Sequence, residues 1–179
     1  MKWTPALSLA LLPVAAIVGP AVAGARINIT IEQAQQRLFP GQQLTQRPVA
    51  LTDAQRAQMQ SASSVREPFR ADRVWRTAKG DWFIVDEVVG KHEMITYALA
   101  INSNGTIKGI EIINYQESYG YEVAEASWRA QFHGKSVDST LKLNQDIKNI
   151  SGATLSCKHL TDGVKRLMVM QSLVSKGGA

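Results

Sequence analysis

Three runs decide the fold class: Trp82-Phe83-Ile84-Val85-Asp86-Glu87-Val88-Val89, Met94-Ile95-Thr96-Tyr97-Ala98-Leu99-Ala100-Ile101, and Thr106-Ile107-Lys108-Gly109-Ile110-Glu111-Ile112-Ile113-Asn114-Tyr115. Each is rich in β-branched and aromatic residues, which suit a pleated backbone packed on at least one face. The breaks between them are short and carry turn residues, Gly90-Lys91 and Asn102-Ser103-Asn104-Gly105. Asn-Gly between two such runs supplies the left-handed conformations a tight hairpin needs, so the stretch reads as an antiparallel meander. Val74-Trp75, ahead of Lys79-Gly80-Asp81, adds a strand in front of it.

Working outward, Thr30 followed by Gln33 and Thr52 followed by Gln55 are capping-box starts for two short helices. The first carries Ile31, Ala34, Leu38 and Phe39 until Pro40-Gly41 stops it, and the second is polar and runs to about Ser61. Past the meander, Val123, Ala126 and Ala130 predict a helix over Glu122 to Phe132 that crosses the sheet, and the alternation Leu141, Leu143, Gln145, Ile147 predicts one more strand over Leu141 to Ile150. Leu160, Val164, Leu167 and Met168 form the apolar stripe of a terminal helix. Together these predict a single α+β domain: an antiparallel sheet with helices packed mainly on one face, preceded by a helical segment over residues 24–72.

The composition agrees: 45% of the 179 residues are hydrophobic and 20% charged, with 13 Gly and 6 Pro, which excludes collagenous, disordered and multi-span membrane chains. Residues 1–23 differ from the rest. Lys2, an apolar run from Ala6 to Val18 and the small triplet Ala21-Val22-Ala23 have the layout of a secretory signal peptide cleaved before Gly24. A membrane anchor is the competing reading, weakened by Pro13, Gly19 and Pro20 within a stretch that should be about 20 residues of unbroken apolar helix. The single Cys157 excludes an intrachain disulfide, and no aromatic-interleaved basic patch points to nucleic acid.

The segment richest in chemistry is Ile150-Ser151-Gly152-Ala153-Thr154-Leu155-Ser156, at the entry to the terminal helix. Small residues there leave backbone and hydroxyls approachable, and a helix start offers unpaired N–H groups and partial positive charge to an anion such as a phosphate. The same residues also serve as a Ser/Thr-rich helix cap, and composition alone does not separate the two. Elsewhere His92, His133 and His159 are scattered, and Cys157-x-His159 lacks the partner spacing of a metal site. Ser156, His159 and Asp162 crowd into two turns of one helix, which does not make a hydrolase triad.

Three patches between Gly105 and Met168 are similar to the bacterial FMN-binding domain of the periplasmic flavoprotein subunits of the sodium-pumping quinone reductase and Rnf complexes, and of small secreted proteins. They are the strand and turn ending in Glu117-Ser118-Tyr119-Gly120, the aromatic-x-x-Gln-Phe-x-Gly-Lys segment from Trp128 to Lys135, and Ser151-Gly152-Ala153-Thr154. The resemblance places the FMN-binding domain at residues 73–179. It implies that Thr154 is esterified to the phosphate of FMN by a secreted, magnesium-dependent flavin transferase that uses FAD.

It also implies that Glu117, Ser118 and Gly120 lie beside the flavin, with Ser151, Gly152, Ala153, Leu155 and Ser156 around the attachment point. Two departures from the family pattern are Lys148, where an acid often precedes the modified Thr by six positions, and Tyr119 in place of the turn's Pro. Covalent and non-covalent retention of FMN therefore both stay open here. The implied function is periplasmic electron transfer to or from a membrane redox partner, quinone-linked or another reductase, with no substrate of its own. The alternative from another class is a non-catalytic periplasmic ligand-binding or accessory module without flavin.

Overall fold

The structure, a computed structural model, describes residues 26–177. The expected signal peptide at residues 1–23 lies outside the described residues. Among these residues six strands form one antiparallel sheet: β1 (Ile27–Asn28), β2 (Leu44–Gln46), β3 (Val74–Thr77), β4 (Trp82–Val89), β5 (Met94–Ile101) and β6 (Ile107–Tyr115), in the order β1-β6-β5-β4-β3-β2. The meander β3 to β6 matches the sequence reading, and Gly105 takes the left-handed conformation (φ +81°) that its hairpin requires. The two edge strands come from the N-terminal segment, which reads as helices alone: β1 pairs with the end of β6 and β2 with β3.

Among the described residues four α-helices accompany the sheet: α1 (Ile31–Leu38), α2 (Asp53–Ser61), α3 (Ala126–Arg129) and α4 (Thr154–Gly177). Both expected capping boxes form, with Thr30 and Thr52 hydroxyls accepting from the Gln33 and Gln55 amides and each glutamine carbonyl accepting in return. One face of the sheet presents Ile84, Val88, Ile95, Tyr97, Leu99 and Ile101, and packs on Cys157, Leu160, Val164, Leu167 and Met168 of α4. The other face, Phe83, Val85, Ala98 and Ala100, is covered by Ala34 and Phe39 from the α1 region. Helices thus lie mainly on one face, with α1 on the other.

Close seating of α4 depends on Gly163. A Cβ there would come within 2.5 Å of the Tyr97 hydroxyl and 2.9 Å of Val88 Cγ1, nearer than such atoms approach one another. Beneath the same helix, Arg166 grips Asp86 with two parallel bonds, Nε to Oδ2 at 2.8 Å and Nη2 to Oδ1 at 2.7 Å, and the Tyr97 hydroxyl donates to the same carboxylate at 2.9 Å. The ion pair is buried and fully hydrogen-bonded, as a charge inside a core must be.

Two expected elements change. Glu122 to Phe132 is not one helix: a 3-10 turn at Tyr121–Ala124 ends at Glu125, whose backbone is extended (φ −69°, ψ 141°), so α3 starts afresh and closes in a second 3-10 turn at Ala130–Phe132. Leu141 to Ile150 is not a strand. Leu141 and Asn144 take positive φ (43° and 63°), and the Asp146 carboxylate accepts from the Leu141 and Lys142 amides, folding the segment on itself and leaving a single bridge between Leu143 and Ile147. Leu141 and Ile147 are buried all the same. The apolar alternation reports burial of a coiled loop and not a ladder.

Candidate functional site

The end of β6 leads into Gln116-Glu117-Ser118-Tyr119-Gly120, and this turn stands against the start of α4. Contact is direct at Gly120, whose φ of +83° is left-handed and whose hydrogen faces Ala153: a Cβ there would overlap the Ala153 Cβ and come 2.8 Å from the Tyr115 hydroxyl. Tyr115 completes the joint by donating its hydroxyl hydrogen to the Tyr119 carbonyl. Burial pushes the Tyr115 phenol upward, so it remains a donor.

Glu117 turns away from α4 toward the β4–β5 connection. Its Oε1 accepts the backbone N–H groups of Lys91, of His92 at 2.7 Å and of Glu93 at 3.0 Å. Partial burial acts to raise its pKa, but the three amides outweigh this and hold the carboxyl below the ordinary glutamate value. Gly90 makes room, since a Cβ at that position would overlap the same oxygen.

Between the two segments lies a concavity of about 380 Å³. From the C-terminal side Gly152, Ala153, Thr154, Leu155 and Ser156 line it, and from the β6 turn Glu117, Ser118 and Tyr119. Of the sequence-expected residues, Ser151 is exposed beside this lining and Gly120 stands behind Ala153, so the two distant patches do meet at one place. Lys91 and His92 complete the wall, and sequence reasoning missed them because two turn residues carry no signal of their own.

The loop leading into α4 is held by the Trp128 to Lys135 patch. Trp128 Nε1 donates to the Lys148 carbonyl at 2.8 Å, Gln131 Oε1 accepts from the Lys148 amide at 2.7 Å, and Lys135 pairs with Asp146 at 3.0 Å. Phe132 is wholly buried and meets the Trp128 ring edge-on at 5.2 Å. Asp146 is therefore committed to this loop. Its carboxyl is held low by the Leu141 and Lys142 amides and by Lys135, against the opposing effect of burial. Lys148 contributes its backbone, and its side chain is exposed.

At the top of the loop Asn149 Nδ2 donates to Thr154 Oγ1 at 2.9 Å. The first helical bond runs from the Cys157 amide to the Ala153 carbonyl at 3.0 Å, which leaves the amides of Thr154, Leu155 and Ser156 ahead of the ladder. Cys157 itself is buried, and burial pushes its thiol up, so it is an apolar core residue and no thiolate. Among the described residues no cluster of three or more His, Cys, Asp or Glu side chains is placed to hold a metal ion.

Residues 90–169 match the model of the FMN-binding domain family. The chain carries an FMN-binding domain. Its cofactor is FMN. The matched span opens at Gly90 and takes in the β4–β5 turn, β5, β6 and α4 as far as Val169, so both walls of the concavity fall inside the FMN-binding domain. No match is found among curated proteins.

The residues present fit the cofactor. Gly152 (φ +83°) has nothing within 4 Å of where a Cβ would stand, which leaves an open cradle in front of the α4 amides for an anionic group. Leu155 and Tyr119, 45% and 78% exposed, offer apolar surface at the rim of the concavity, where a flat ring system would shield it from water.

Proposed function

We propose that this protein is a periplasmic electron carrier whose FMN is attached through its phosphate to Thr154 and which exchanges electrons with a membrane redox partner, quinone-linked or another reductase. The observation that carries this reading is the setting of Thr154. It is exposed, opens α4 and lines the concavity, and Asn149 orients its oxygen while, among the described residues, its hydroxyl donates no hydrogen bond. Such a hydroxyl is a nucleophile that lacks only a base.

Attachment by a flavin transferase from FAD forms the bond from Thr154 Oγ1 to the FMN phosphorus and breaks the pyrophosphate P–O bond. AMP leaves, and the hydroxyl proton passes to the transferase's base. The orphan amides of α4 and the Lys91 ammonium then stand ready to match the charge of the phosphodiester. FMN supplies one- and two-electron chemistry when bound. This chain supplies the seat: Gly152 leaves space, the turn from Glu117 to Gly120 forms the opposite wall, and Trp128 and Gln131 hold the approach loop still.

Export is supported by the character of residues 1–23. Mass spectrometry of the mature protein should find an N-terminus at Gly24, and retention of residues 1–23 would favour the anchored form. FMN as the cofactor leaves the flavin-free accessory module without support.

The deciding experiment compares wild type with Thr154→Val, each co-produced with a flavin transferase. Wild-type protein should fluoresce after denaturing electrophoresis, and Thr154→Val should not, although valine keeps nearly the same shape and the fold should survive. Flavin retained by Thr154→Val on such a gel would move the attachment to Ser151 or Ser156.

A further inference from the structure

We propose that the β4–β5 turn sets the electrostatics of the flavin seat, with Lys91 and His92 facing the negative charge of FMN and Glu117 acting as the positioning residue that holds both in place. The inference rests on FMN occupying the concavity. It deepens that reading by assigning residues to the charge of the cofactor.

Besides the Tyr119 phenol, three ionisable side chains, Lys91, His92 and Glu117, take part in the lining, and they are not equivalent. The Glu117 oxygen is enclosed by three amides, so its charge is matched within the turn that it organises. Lys91 and His92 are exposed, and among the described residues neither side chain forms an ion pair or hydrogen bond. Their backbones are fastened to Glu117 while their side chains are left to the cavity. Of the neighbouring ionisable groups, the Glu117 carboxylate interacts with His92, which leaves Lys91 the freer cation, while Glu93 lies outside the lining, His159 is engaged with the Val89 carbonyl at 2.7 Å, and Glu122 sits on the turn that follows Gly120.

A concavity bearing the uncommitted Lys91 ammonium, with the His92 imidazole beside it, suits a ligand that is anionic and whose negative charge grows on reduction. A fixed positive charge near such a centre favours the more negative form and so raises the midpoint potential. Removing Glu117's charge alone should have little effect, because the three amides already match that charge and a glutamine oxygen still holds the turn.

The test uses flavin-loaded protein and spectroelectrochemical titration at low and high ionic strength, with flavin content and unfolding midpoint measured first. Lys91→Gln should lower the midpoint potential, His92→Gln should lower it less, and the double variant should lower it most. The shifts should shrink as salt rises, because both side chains are exposed to screening.

Glu117→Ala should lower the potential as the turn loosens, and Glu117→Gln should restore it. Loss of flavin loading in a folded Lys91→Gln protein would also support the assignment, since the anion would have lost its counter-charge. Loaded Lys91→Gln with an unaltered potential, or a clear rise in Glu117→Gln, would overturn this inference while leaving FMN binding standing. Wild-type protein that takes up no flavin would overturn both.

Discussion

Gly120 rests directly on Ala153, joining the turn after β6 to the first residues of α4 with no side chain between them. Gly120→Ala combines a left-handed backbone that resists a Cβ with an overlap against Ala153, so the two walls of the seat should separate. A loss of about 1–3 kcal/mol is expected from the backbone conformation alone, with the overlap adding to it. Gly152→Ala shares the left-handed φ but meets open space, and should lose only about 1 kcal/mol. Urea unfolding of the two variants should show this ordering, and equal losses would mean that the Ala153 contact is unimportant.

Trp128 and Gln131 both bind the backbone of Lys148. Trp128→Phe keeps a ring against Phe132 and removes one hydrogen bond, and Gln131→Ala removes the other, each lowering stability by about 1 kcal/mol. Because the loop leads to Asn149 and Thr154, the flavin attachment proposed at Thr154 should slow in both variants. A time course of covalent labelling with purified transferase would measure this, and wild-type rates in both would dismiss the clamp.

Asp86→Ala leaves the Arg166 guanidinium buried beneath α4 without its carboxylate. Breaking one side of such a pair is expected to lower stability by about 3–5 kcal/mol, more than any other substitution considered above. Thermal or urea unfolding of the flavin-free protein would read this directly.

Acid sensitivity follows from the two carboxyls held low, Glu117 and Asp146. Each favours its ionised form in the folded protein, so its contribution is fully present above the ordinary carboxylate values of 4.5 and 3.8 and is lost as pH falls through the lower folded values. Stability should therefore be insensitive to these two groups from neutrality down to about pH 5 and should decline below it. In Glu117→Gln the acid decline should be shallower, and an unchanged acid limb would show that the amide cradle contributes nothing to folding.

The local signals in the sequence are those that the structure reproduces. Thr30 with Gln33 and Thr52 with Gln55 are complete within one turn of helix, and Asn104-Gly105 is complete within one hairpin. What failed depended on partners far along the chain. Leu141 and Ile147 alternate like strand residues, but Asp146, tied to Lys135, coils the segment into a loop. Lys91 and His92 are ordinary turn residues until Glu117 reaches across to collect their amides, a relationship between positions some 25 residues apart that no local pattern records. The meeting of the Glu117 turn with Thr154 was legible through family likeness, since neither segment names the other by composition.

The strand order has a temporal side. β1, at Ile27–Asn28, is the first described strand to leave the ribosome, yet its partner is the end of β6 at Asn114–Tyr115, and β2 waits similarly for β3. Pairings so distant in sequence are slow to form. The edge of β6 is therefore closed by the segment made earliest, and only after β6 itself has been made. The turn that walls the concavity leaves the very end of β6, so that wall is steadied only when the oldest part of the chain returns to pair with the strand before it.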